Sequence, residues 1–302
     1  MARNKKKWQK AFNPFEVCNY IWRRLSRYIT NDELYIKVKY FLSTKKILHL
    51  SNPVTFNEKI QWLKLHSDNP LYTEMVDKYL AKKYVSNLLG NDNNLIPTVG
   101  VWDRFEDIDF ESLPNQFVLK TTHDSGGVVL CKDKRSFELE KAKKKLNKSL
   151  HRNYFYHTRE YPYKNVKPRI IAEQYMVDES GTELKDYKFL CFNGEPKILF
   201  IATDRPLDTR FDFFDMDFNH LDMRQGHPNA NKPINKPKGF EEMKRLARIL
   251  SNGLSHVRID FYDINGNVFF GEITFFHDGG NVLFEPETWD IELGKWITLP
   301  NL

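Results

Sequence analysis

The chain has 302 residues, of which 41% are hydrophobic, a composition that supports a sizeable core in two or three packed subdomains and excludes a disordered protein. The net charge of +6 originates in residues 1–28, which alone carry +7, so the remaining chain is close to neutral. A nucleic-acid-binding groove is therefore not expected, because it would need a basic face on the folded body.

The first 50 residues interleave basic and aromatic side chains, which predicts a helical extension over residues 1–50. A helix of this composition can lie on an anionic bilayer, with its aromatic residues at the lipid boundary and its basic residues near the headgroups. The same helix can instead be a cap whose aromatic residues pack on the main domain. The sequence leaves both interpretations open for residues 1–28.

An N-terminal helical subdomain is predicted over residues 51–112. In Thr55–Leu65 the apolar residues recur at helical intervals, and Thr55 with Glu58 has the form of a capping box. A second helix is predicted over Tyr72–Leu89.

Short β-type runs begin at Asn115 and alternate with helical segments, which predicts an α+β fold class. A lysine-rich helix is predicted between Phe137 and Leu150, and Phe240–Leu250 has one apolar helical face. The Asp-, Asn- and Pro-rich stretch Pro206–Gly239 is predicted to be a long excursion or a lid. The runs predicted as strands are Phe117–Lys120, Val128–Cys131, Ile170–Glu173, Phe189–Phe192 and Ile198–Ala202.

A β-hairpin is predicted in Val257–Phe276, which alternates on both sides of Asn265-Gly266. Folding about residue 265 puts Glu272 opposite Arg258 and diagonal to Asp260, so two carboxylates and a guanidinium share one face. Ion pairs of this kind are also common on ordinary protein surfaces.

Two further segments have charged or small residues at strand ends. Phe117–Leu130 is a β-run that ends in Lys120, continues through the small-residue loop Ser125-Gly126-Gly127 and enters another β-run. The N–H groups of such a loop can donate to phosphate oxygens, although ordinary hairpin loops have the same composition. Arg169–Met176 is an apolar run that closes on Glu173, and alone it indicates only a core strand.

The chain order of lysine strand, glycine loop, acid-ending strand and Arg-x-Asp…Glu-x-Thr hairpin is that of the ATP-grasp fold. The chain resembles the TupA-like ATP-grasp family of bacterial surface-polysaccharide gene clusters. This resemblance implies two α+β lobes enclosing ATP, a small lobe over residues 113–176 and a large lobe over residues 177–302. The matching stretches are Thr55-Phe-Asn-Glu-Lys-Ile-Gln-Trp-Leu-Lys, Asp77-Lys-Tyr, Leu113-Pro-Asn-Gln-Phe-Val-Leu-Lys, Arg159-Glu-Tyr-Pro-Tyr-Lys, Asp186-Tyr-Lys-Phe-Leu-Cys-Phe-Asn-Gly-Glu-Pro-Lys and Val257-Arg-Ile-Asp-Phe-Tyr.

The resemblance also implies roles for individual residues, position by position. The residues implied to be catalytic are Arg258, Lys120 and Lys188. Those implied to bind ATP are Lys78, Lys120, Ser125, Gly126, Gly127, Glu173 and Met176. Those implied to bind Mg²⁺ are Asp260, Glu272 and Thr274.

Two features depart from the family pattern, and a third departs from ATP-grasp enzymes at large. Asp124 follows His123 where the family loop usually has glycine, so a carboxylate stands beside the expected triphosphate and must point away or meet a cation. Thr274 stands where many ATP-grasp enzymes have an asparagine ligand. The segment His277-Asp278-Gly279-Gly280 replaces Pro-Gly-Ser-Gly, which indicates a specialised acceptor side.

The activity implied by the resemblance is that of an ATP- and Mg²⁺-dependent ligase. It would phosphorylate a carboxylate and join the acyl phosphate to an amine, releasing ADP and phosphate. In the context of the family, the carboxylate would belong to a sugar uronate or an amino acid, free or on a lipid-linked glycan. The amine would belong to an amino acid or an amino sugar, and the product would serve a capsule, an O-antigen or a teichuronopeptide.

Two other functions stay open. Asp215-Met-Asp217 has the D-x-D form with which a glycosyltransferase binds a metal and a nucleotide sugar, although the surrounding sequence lacks the usual βαβ pattern. Alternatively, Asp124 and Thr274 would suit an ATP-grasp scaffold that binds nucleotide or polymer without catalysis. ATP turnover separates these functions.

A cytoplasmic location is predicted, with residues 1–28 available for peripheral contact with the inner membrane face. The cysteines Cys18, Cys131 and Cys191 are far apart and match no metal-ligand spacing, which fits a reducing compartment. Ala11–Trp22 is too interrupted by polar residues for a signal peptide, and later apolar runs are shorter than the roughly 20 residues of a membrane span.

Overall fold

The computed structural model describes residues 14–66, 68–178, 181, 184–204 and 208–300. Its helices are α1 (Pro14–Leu25), α2 (Asp32–Thr44), α3 (Phe56–His66), α4 (Pro70–Val76), α5 (Leu80–Leu89), α6 (Leu139–Leu150), α7 (Tyr154–Thr158), α8 (Phe240–Ser251) and α9 (Thr288–Trp296). Its strands are β1 (Thr98–Trp102), β2 (Phe117–Thr121), β3 (Val128–Cys131), β4 (Ile170–Gln174), β5 (Asp186–Phe192), β6 (Glu195–Thr203), β7 (Arg210–Phe214), β8 (Arg224–Gln225), β9 (His256–Ile264), β10 (Asn267–Thr274) and β11 (Phe284–Glu285). Over these residues, none of the helices has the length and apolar character needed to cross a bilayer.

Two antiparallel sheets dominate the fold, and each has its own hydrophobic core. The smaller sheet has strand order β1-β4-β2-β3, and α6 packs against it over a core that includes Phe117 and Leu146. The larger sheet has strand order β10-β9-β5-β6-β7 and packs against α8. Helices α3 and α5 share the core of the larger sheet through Phe56, Ile60 and Val85. The domain boundaries expected at residues 50, 112 and 176 remain a prediction.

Helix α3 begins with the capping box predicted from the sequence. The Glu58 N–H donates to Thr55 Oγ1 (3.2 Å), and the Thr55 N–H donates to Glu58 Oε2 (3.0 Å). These bonds satisfy donors that the first turn of a helix leaves unpaired. The five predicted strands are confirmed in β2 to β6, and the predicted helices ending at Leu150 and Leu250 correspond to α6 and α8.

The single helix predicted over Tyr72–Leu89 is wrong, because the structure divides it at Asp77. The backbone of Asp77 is extended (φ −71°, ψ 115°), and its Oδ1 accepts from two N–H groups at the start of α5. Asp77 also pairs with Arg169 at 2.7 Å, a contact from a distant part of the chain. The break leaves Lys78 outside both helices, where its N–H donates to Thr122 O (3.1 Å).

The interpretation of Pro206–Gly239 as an excursion or a lid is wrong for Arg210–Phe214 and Arg224–Gln225, which form strands β7 and β8. Strand β7 pairs with β6 and forms the edge of the larger sheet, and β8 pairs with β11. The reason is a short aromatic run, in which Phe213 and Phe214 are buried against the sheet. Pro206 itself lies outside the described residues.

Strands β9 and β10 form the predicted hairpin, but in a different register. Asn265-Gly266 has positive φ at both positions (58° and 96°), as a two-residue hairpin turn requires. A β-bulge then adds one residue to β10, so Glu272 lies directly opposite Asp260 rather than opposite Arg258. Gly271 permits this close approach, because a Cβ there would lie 3.0 Å from Asp260 O.

Candidate active site

Three charged side chains meet on one face of the β9–β10 hairpin, as predicted. Arg258 donates through Nε to Asp260 Oδ1 (2.7 Å) and through Nη2 to Asp260 Oδ2 (2.9 Å) and Glu272 Oε1 (2.8 Å). The guanidinium therefore forms a bidentate pair with one carboxylate and bridges to the other. Because side chains alternate along a strand, Val257 and Ile259 enter the core from the opposite face.

Lys188 lies beside this group on β5, directly opposite Asp260 in the strand register. Its ammonium forms an ion pair with Asp260 Oδ2 and lies 3.9 Å from Asp186 Oδ1. The hydroxyl of Thr274 is 3.4 Å from Glu272 Oε1. The structure thus brings two of the residues predicted to be catalytic together with all three predicted metal ligands.

Burial and charge act in opposite directions on the ionisation of the two carboxyl groups. Partial burial raises the pKa of Glu272, but surrounding cations outweigh it and lower this pKa to about 2. Those cations are Arg258, Lys188, Lys78 and Lys120. For Asp260, burial prevails over the same kind of attraction and raises the pKa. Glu272 is therefore ionised at neutral pH, and the loop and strand that carry Lys78 and Lys120 face the hairpin.

His277 contacts the remaining end of the Arg258 guanidinium. Arg258 Nη1 lies 3.4 Å from His277 Nδ1, and His277 Nε2 lies 2.7 Å from Gln225 Oε1. Burial lowers the pKa of His277 to about 4, so the ring is neutral at pH 7. A neutral ring can accept at Nδ1 and donate at Nε2, which is what these two contacts require. The sequence indicated His277 only as part of a departure from the family, and it offered no signal for Gln225.

Lys120 and Glu173 lie on the adjacent strands β2 and β4 and form an ion pair. Lys120 Nζ is 2.6 Å from Glu173 Oε2, and Lys82 Nζ from α5 is 2.5 Å from Glu173 Oε1. Burial raises the pKa of Glu173, but the two lysines lower it overall. Lys82 was not predicted, and its position four residues after Lys78 was the available signal. Both carboxylate oxygens of Glu173 are paired with lysines, so binding of the adenine amino group by Glu173 stays a prediction.

Asp124 points into the protein, away from the tip of the loop between β2 and β3. It is buried and accepts hydrogen bonds from the hydroxyls of Thr121 and Ser149. This orientation agrees with the expectation that the carboxylate must avoid a phosphate. Gly127 packs against the same group, because a Cβ there would lie 1.8 Å from Thr121 Oγ1. Ser125-Gly126 is exposed at the loop tip.

Lys78 reaches the same loop from the break between α4 and α5. Its Nζ donates to Asp124 O (2.6 Å), which places an ammonium group beside the loop. Met176 is half-buried two residues beyond the end of β4, and its main-chain role on adenine remains a prediction.

The D-x-D segment Asp215-Met-Asp217 forms a turn after β7. Asp215 Oδ1 accepts from the N–H groups of Asp217 (2.9 Å) and Asn219 (2.8 Å), and Oδ2 accepts from the Asn219 side chain (2.9 Å). Aspartate commonly stabilises a turn in this way. The contacts of Asp215 therefore serve the local backbone and give no support to a nucleotide-sugar site.

The residues predicted to hold magnesium fit the ion in number and chemistry. Asp260 and Glu272 supply two carboxylates at directly opposed positions of the hairpin. Mg²⁺ is usually held by one or two carboxylates together with substrate phosphates and water. Thr274 adds a hydroxyl rather than a third carboxylate, and the described ranges contain no cluster of three or more His, Cys, Asp or Glu side chains suited to a metal.

A family model and several solved structures match most of the chain. A family model described as TupA-like ATPgrasp matches residues 58–298. No curated protein matches the sequence. Among solved structures, D-alanine–D-alanine ligase from Helicobacter pylori is 16% identical, with a TM-score of 0.41, over 80% of this chain and 69% of its own. The same ligase from Bacillus anthracis, complexed with ATP, is 14% identical, with a TM-score of 0.40, over 75% of this chain and 60% of its own, less than two-thirds of its length.

Proposed function

The chain belongs to the TupA-like ATP-grasp family and has the ATP-grasp fold, and from this premise we propose that it is an ATP- and Mg²⁺-dependent carboxylate–amine ligase. The observation that most directly supports the proposal is the Arg258 guanidinium held between Asp260 and Glu272, with Lys78 and Lys120 near enough to Glu272 to lower its pKa. Transfer of a phosphoryl group requires such preorganised cations beside hard oxygen ligands.

The groups proposed to bind ATP belong to the smaller sheet and its loop. Lys120 and Lys78 would pair with phosphate oxygens, and the N–H groups of Ser125–Gly127 would donate to them. Glu173 would accept from the adenine amino group, which requires one of its two lysine partners to give up an oxygen. The main chain near Met176 would contact the other part of the adenine edge.

Arg258 and Lys188 are proposed to stabilise the transferred phosphoryl group. Both side chains are already oriented by Asp260, so little rearrangement is needed when charge develops. Asp260, Glu272 and Thr274 would hold Mg²⁺, and the bound ion would neutralise negative charge on the phosphate groups.

The proposed reaction has two steps. Transfer of the γ-phosphoryl group to a carboxylate gives an acyl phosphate and ADP, and attack by an amine then forms an amide and releases phosphate. Exclusion of water would protect the acyl phosphate between the two steps. The association of the family with surface-polysaccharide genes supports a uronic acid or an amino acid as the carboxylate, free or on a lipid-linked glycan, and an amino acid or an amino sugar as the amine.

Nucleotide binding tests the proposal in a thermal-shift titration. We expect ATP with Mg²⁺ to raise the melting temperature and a UDP-sugar with Mn²⁺ to leave it unchanged. Removal of Mg²⁺ with EDTA should weaken the effect of ATP, because its phosphates then face Asp260 and Glu272 without a cation between them. Stabilisation by UDP-sugar and Mn²⁺ without a response to ATP would favour a glycosyltransferase.

We further propose that the N-terminal extension attaches the protein to the anionic inner face of a membrane. Helix α1 has no buried residue, and Val17, Ile21 and Leu25 recur every four residues along one exposed face. Arg23 and Arg24 lie in its last turn. This apolar face with adjacent cations has the chemistry of a helix lying at a lipid surface. The basic residues before Pro14 lie outside the described residues.

The alternative interpretation, in which α1 is a cap on the main domain, is supported by contacts on a different side of the helix. Trp22 stacks on Tyr35 with ring centroids 5.9 Å apart, and its Nε1 donates to Tyr35 O (3.2 Å). These contacts attach α1 to α2 and leave the apolar face containing Ile21 exposed. Packing on the domain and contact with a membrane are therefore compatible.

Vesicle co-sedimentation of the full chain tests the membrane proposal. We expect binding to anionic vesicles that weakens as salt rises, and we expect Ile21→Glu to reduce it strongly by placing a charge in the apolar face. Leu130→Glu, at an exposed position on β3, is the matched control and should bind as the wild type does. Equal binding by Ile21→Glu, or no binding of the wild type at low salt, would contradict the proposal.

A further inference from the structure

Glu160 is a buried carboxylate that the proposed chemistry does not use. It lies between α7 and the turn at Tyr161–Tyr163 and is 4% exposed. Among the described residues, its carboxylate accepts no hydrogen bond and forms no ion pair within 4.0 Å. Burial raises the pKa of Glu160, and a buried carboxyl group without a partner in a native structure calls for an explanation.

Two lysines near Glu160 are already bound to backbone oxygens. Lys64 Nζ donates to Gly279 O (2.6 Å), and Lys39 Nζ donates to His157 O (2.8 Å). Burial lowers the pKa of Lys64 to about 8 and that of Lys39 to about 7, so at neutral pH Lys64 is mostly protonated and Lys39 only partly. Neither ammonium forms an ion pair with Glu160 within 4.0 Å, since each is held by a backbone oxygen.

Gly279 carries no side chain beside these groups. A Cβ on Gly279 would lie 3.1 Å from Asn281 Nδ2, 3.4 Å from Lys64 Nζ and 3.5 Å from Glu160 Oε1, so three polar groups converge on this position. Gln61 Nε2 fixes the turn by donating to Gly279 O (2.9 Å) and Gly280 O (2.8 Å). The backbone around Gly279 is thus held in place from α3.

The same turn connects this position to the proposed reaction centre. His277 contacts Arg258 at 3.4 Å, and the next residue, Asp278, has a partly exposed carboxylate. Glu160 and Asp278 form an acidic pair near Arg258, because Asp278 raises the pKa of Glu160 and Arg258 lowers it. An anionic ligand would be repelled by this pair, whereas a cationic N–H donor would satisfy it.

We infer that Glu160 is the binding site for the ammonium group of the amine co-substrate, with Asp278 as a second acidic contact. The inference rests on the proposed function and assigns the acceptor side of that same site. The class of ligand is a primary amine, such as an amino acid or an amino sugar.

Thermal-shift titrations of the full chain with free amines test the inference. The probes are the common amino acids and D-glucosamine, each compared with its N-acetylated form, which has no ammonium group. We expect at least one free amine to stabilise the wild type, its N-acetylated form to have no effect, and Glu160→Gln to weaken binding about tenfold or more. Glu140→Gln, an exposed change on α6, is the matched control and should behave as the wild type does.

Equal affinity of Glu160→Gln and the wild type, or no stabilisation by any free amine, would overturn the inference. Circular dichroism of Glu160→Gln establishes that this isosteric change leaves the fold intact. Stabilisation by ATP with Mg²⁺ is measured in parallel. If both proteins respond to ATP and neither responds to amines, the inference fails while the proposed ligase function stands; if the wild type does not respond to ATP, the proposed function itself fails.

Discussion

Asp260→Asn and Glu272→Gln are each expected to lower ATP-dependent turnover about 10²-fold or more while the fold persists. Each change replaces a carboxylate group by an amide of nearly the same size and so removes a hard anionic ligand from the proposed metal site. Asp260 is also the shared partner of Arg258 and Lys188, so its replacement leaves two cations less well paired. Turnover is measured as ADP release, with circular dichroism and denaturant unfolding as checks on the fold.

The two variants should differ in stability. Asp260 is 1% exposed, and loss of its charge should lower the free energy of unfolding by about 3 kcal/mol. The Glu272 side chain is 40% exposed, so solvent screens its pair with Arg258 and a smaller loss is expected. Activity is therefore compared at a temperature where all proteins are folded.

Asp263→Asn is the matched control for both changes. Asp263 lies on the same strand with its side chain on the opposite face, where it accepts from the N–H groups of Gly239 (2.9 Å) and Gly266 (2.7 Å). We expect this variant to lose stability and to retain the turnover of the wild type per folded molecule. Wild-type turnover in Asp260→Asn and Glu272→Gln would mean that the hairpin carries an ordinary ion pair.

Lys120→Met is expected to weaken ATP binding by about ten- to a hundredfold, because it removes a charged donor proposed to contact phosphate. Lys82→Met is its matched control, since both lysines pair with Glu173 at similar distances. Lys82 also donates to Ile96 O (2.7 Å), which indicates a structural role. We expect Lys82→Met to lower stability and to leave most of the ATP affinity.

Isothermal titration with ATP and Mg²⁺ compares the two lysine variants. An equal loss of affinity in both would show that the lysines act only through Glu173. An unchanged affinity in Lys120→Met would remove Lys120 from the proposed site. Melting temperatures without nucleotide separate loss of binding from loss of fold.

Features that depend on neighbours in sequence were predicted well. The capping box of Thr55 and Glu58 and the turn at Asn265-Gly266 are determined by a few adjacent residues, and both are present. The shared face of Arg258 and Asp260 follows from alternation along a strand, and it survives the error in register.

Features that depend on distant contacts were missed. The break at Asp77 is supported by Arg169, which belongs to another element, and helical periodicity alone continues through it. The bulge at Gly271 depends on close packing against Asp260 O across the hairpin. Strand β7 was hidden because its aromatic run lies in a stretch dominated by polar residues, and its pairing with β6 decides its structure.

The residues of the candidate site also divide into those that the sequence indicated and those that depend on distant contacts. The resemblance to a family indicated residues on β2, β4, β9 and β10, and the structure brings those of the hairpin into contact. Lys82, which pairs with Glu173, lies four residues after Lys78, whereas Gln225, which pairs with His277, comes from a separate element that no local spacing connects to the site. Contacts of this kind arise only when the helices pack against the sheets.

Identification of reaction products tests the proposed ligase most directly. The purified full chain is incubated with ATP, Mg²⁺, a set of uronic acids and the common amino acids, and the mixture is examined by mass spectrometry. We expect ADP together with a new species whose mass is that of one carboxylate plus one amine less one water, absent without ATP and in Asp260→Asn. ATP binding without any condensation product would contradict the ligase and leave a nucleotide-binding scaffold, and sugar transfer from a UDP-sugar would contradict it in favour of a glycosyltransferase.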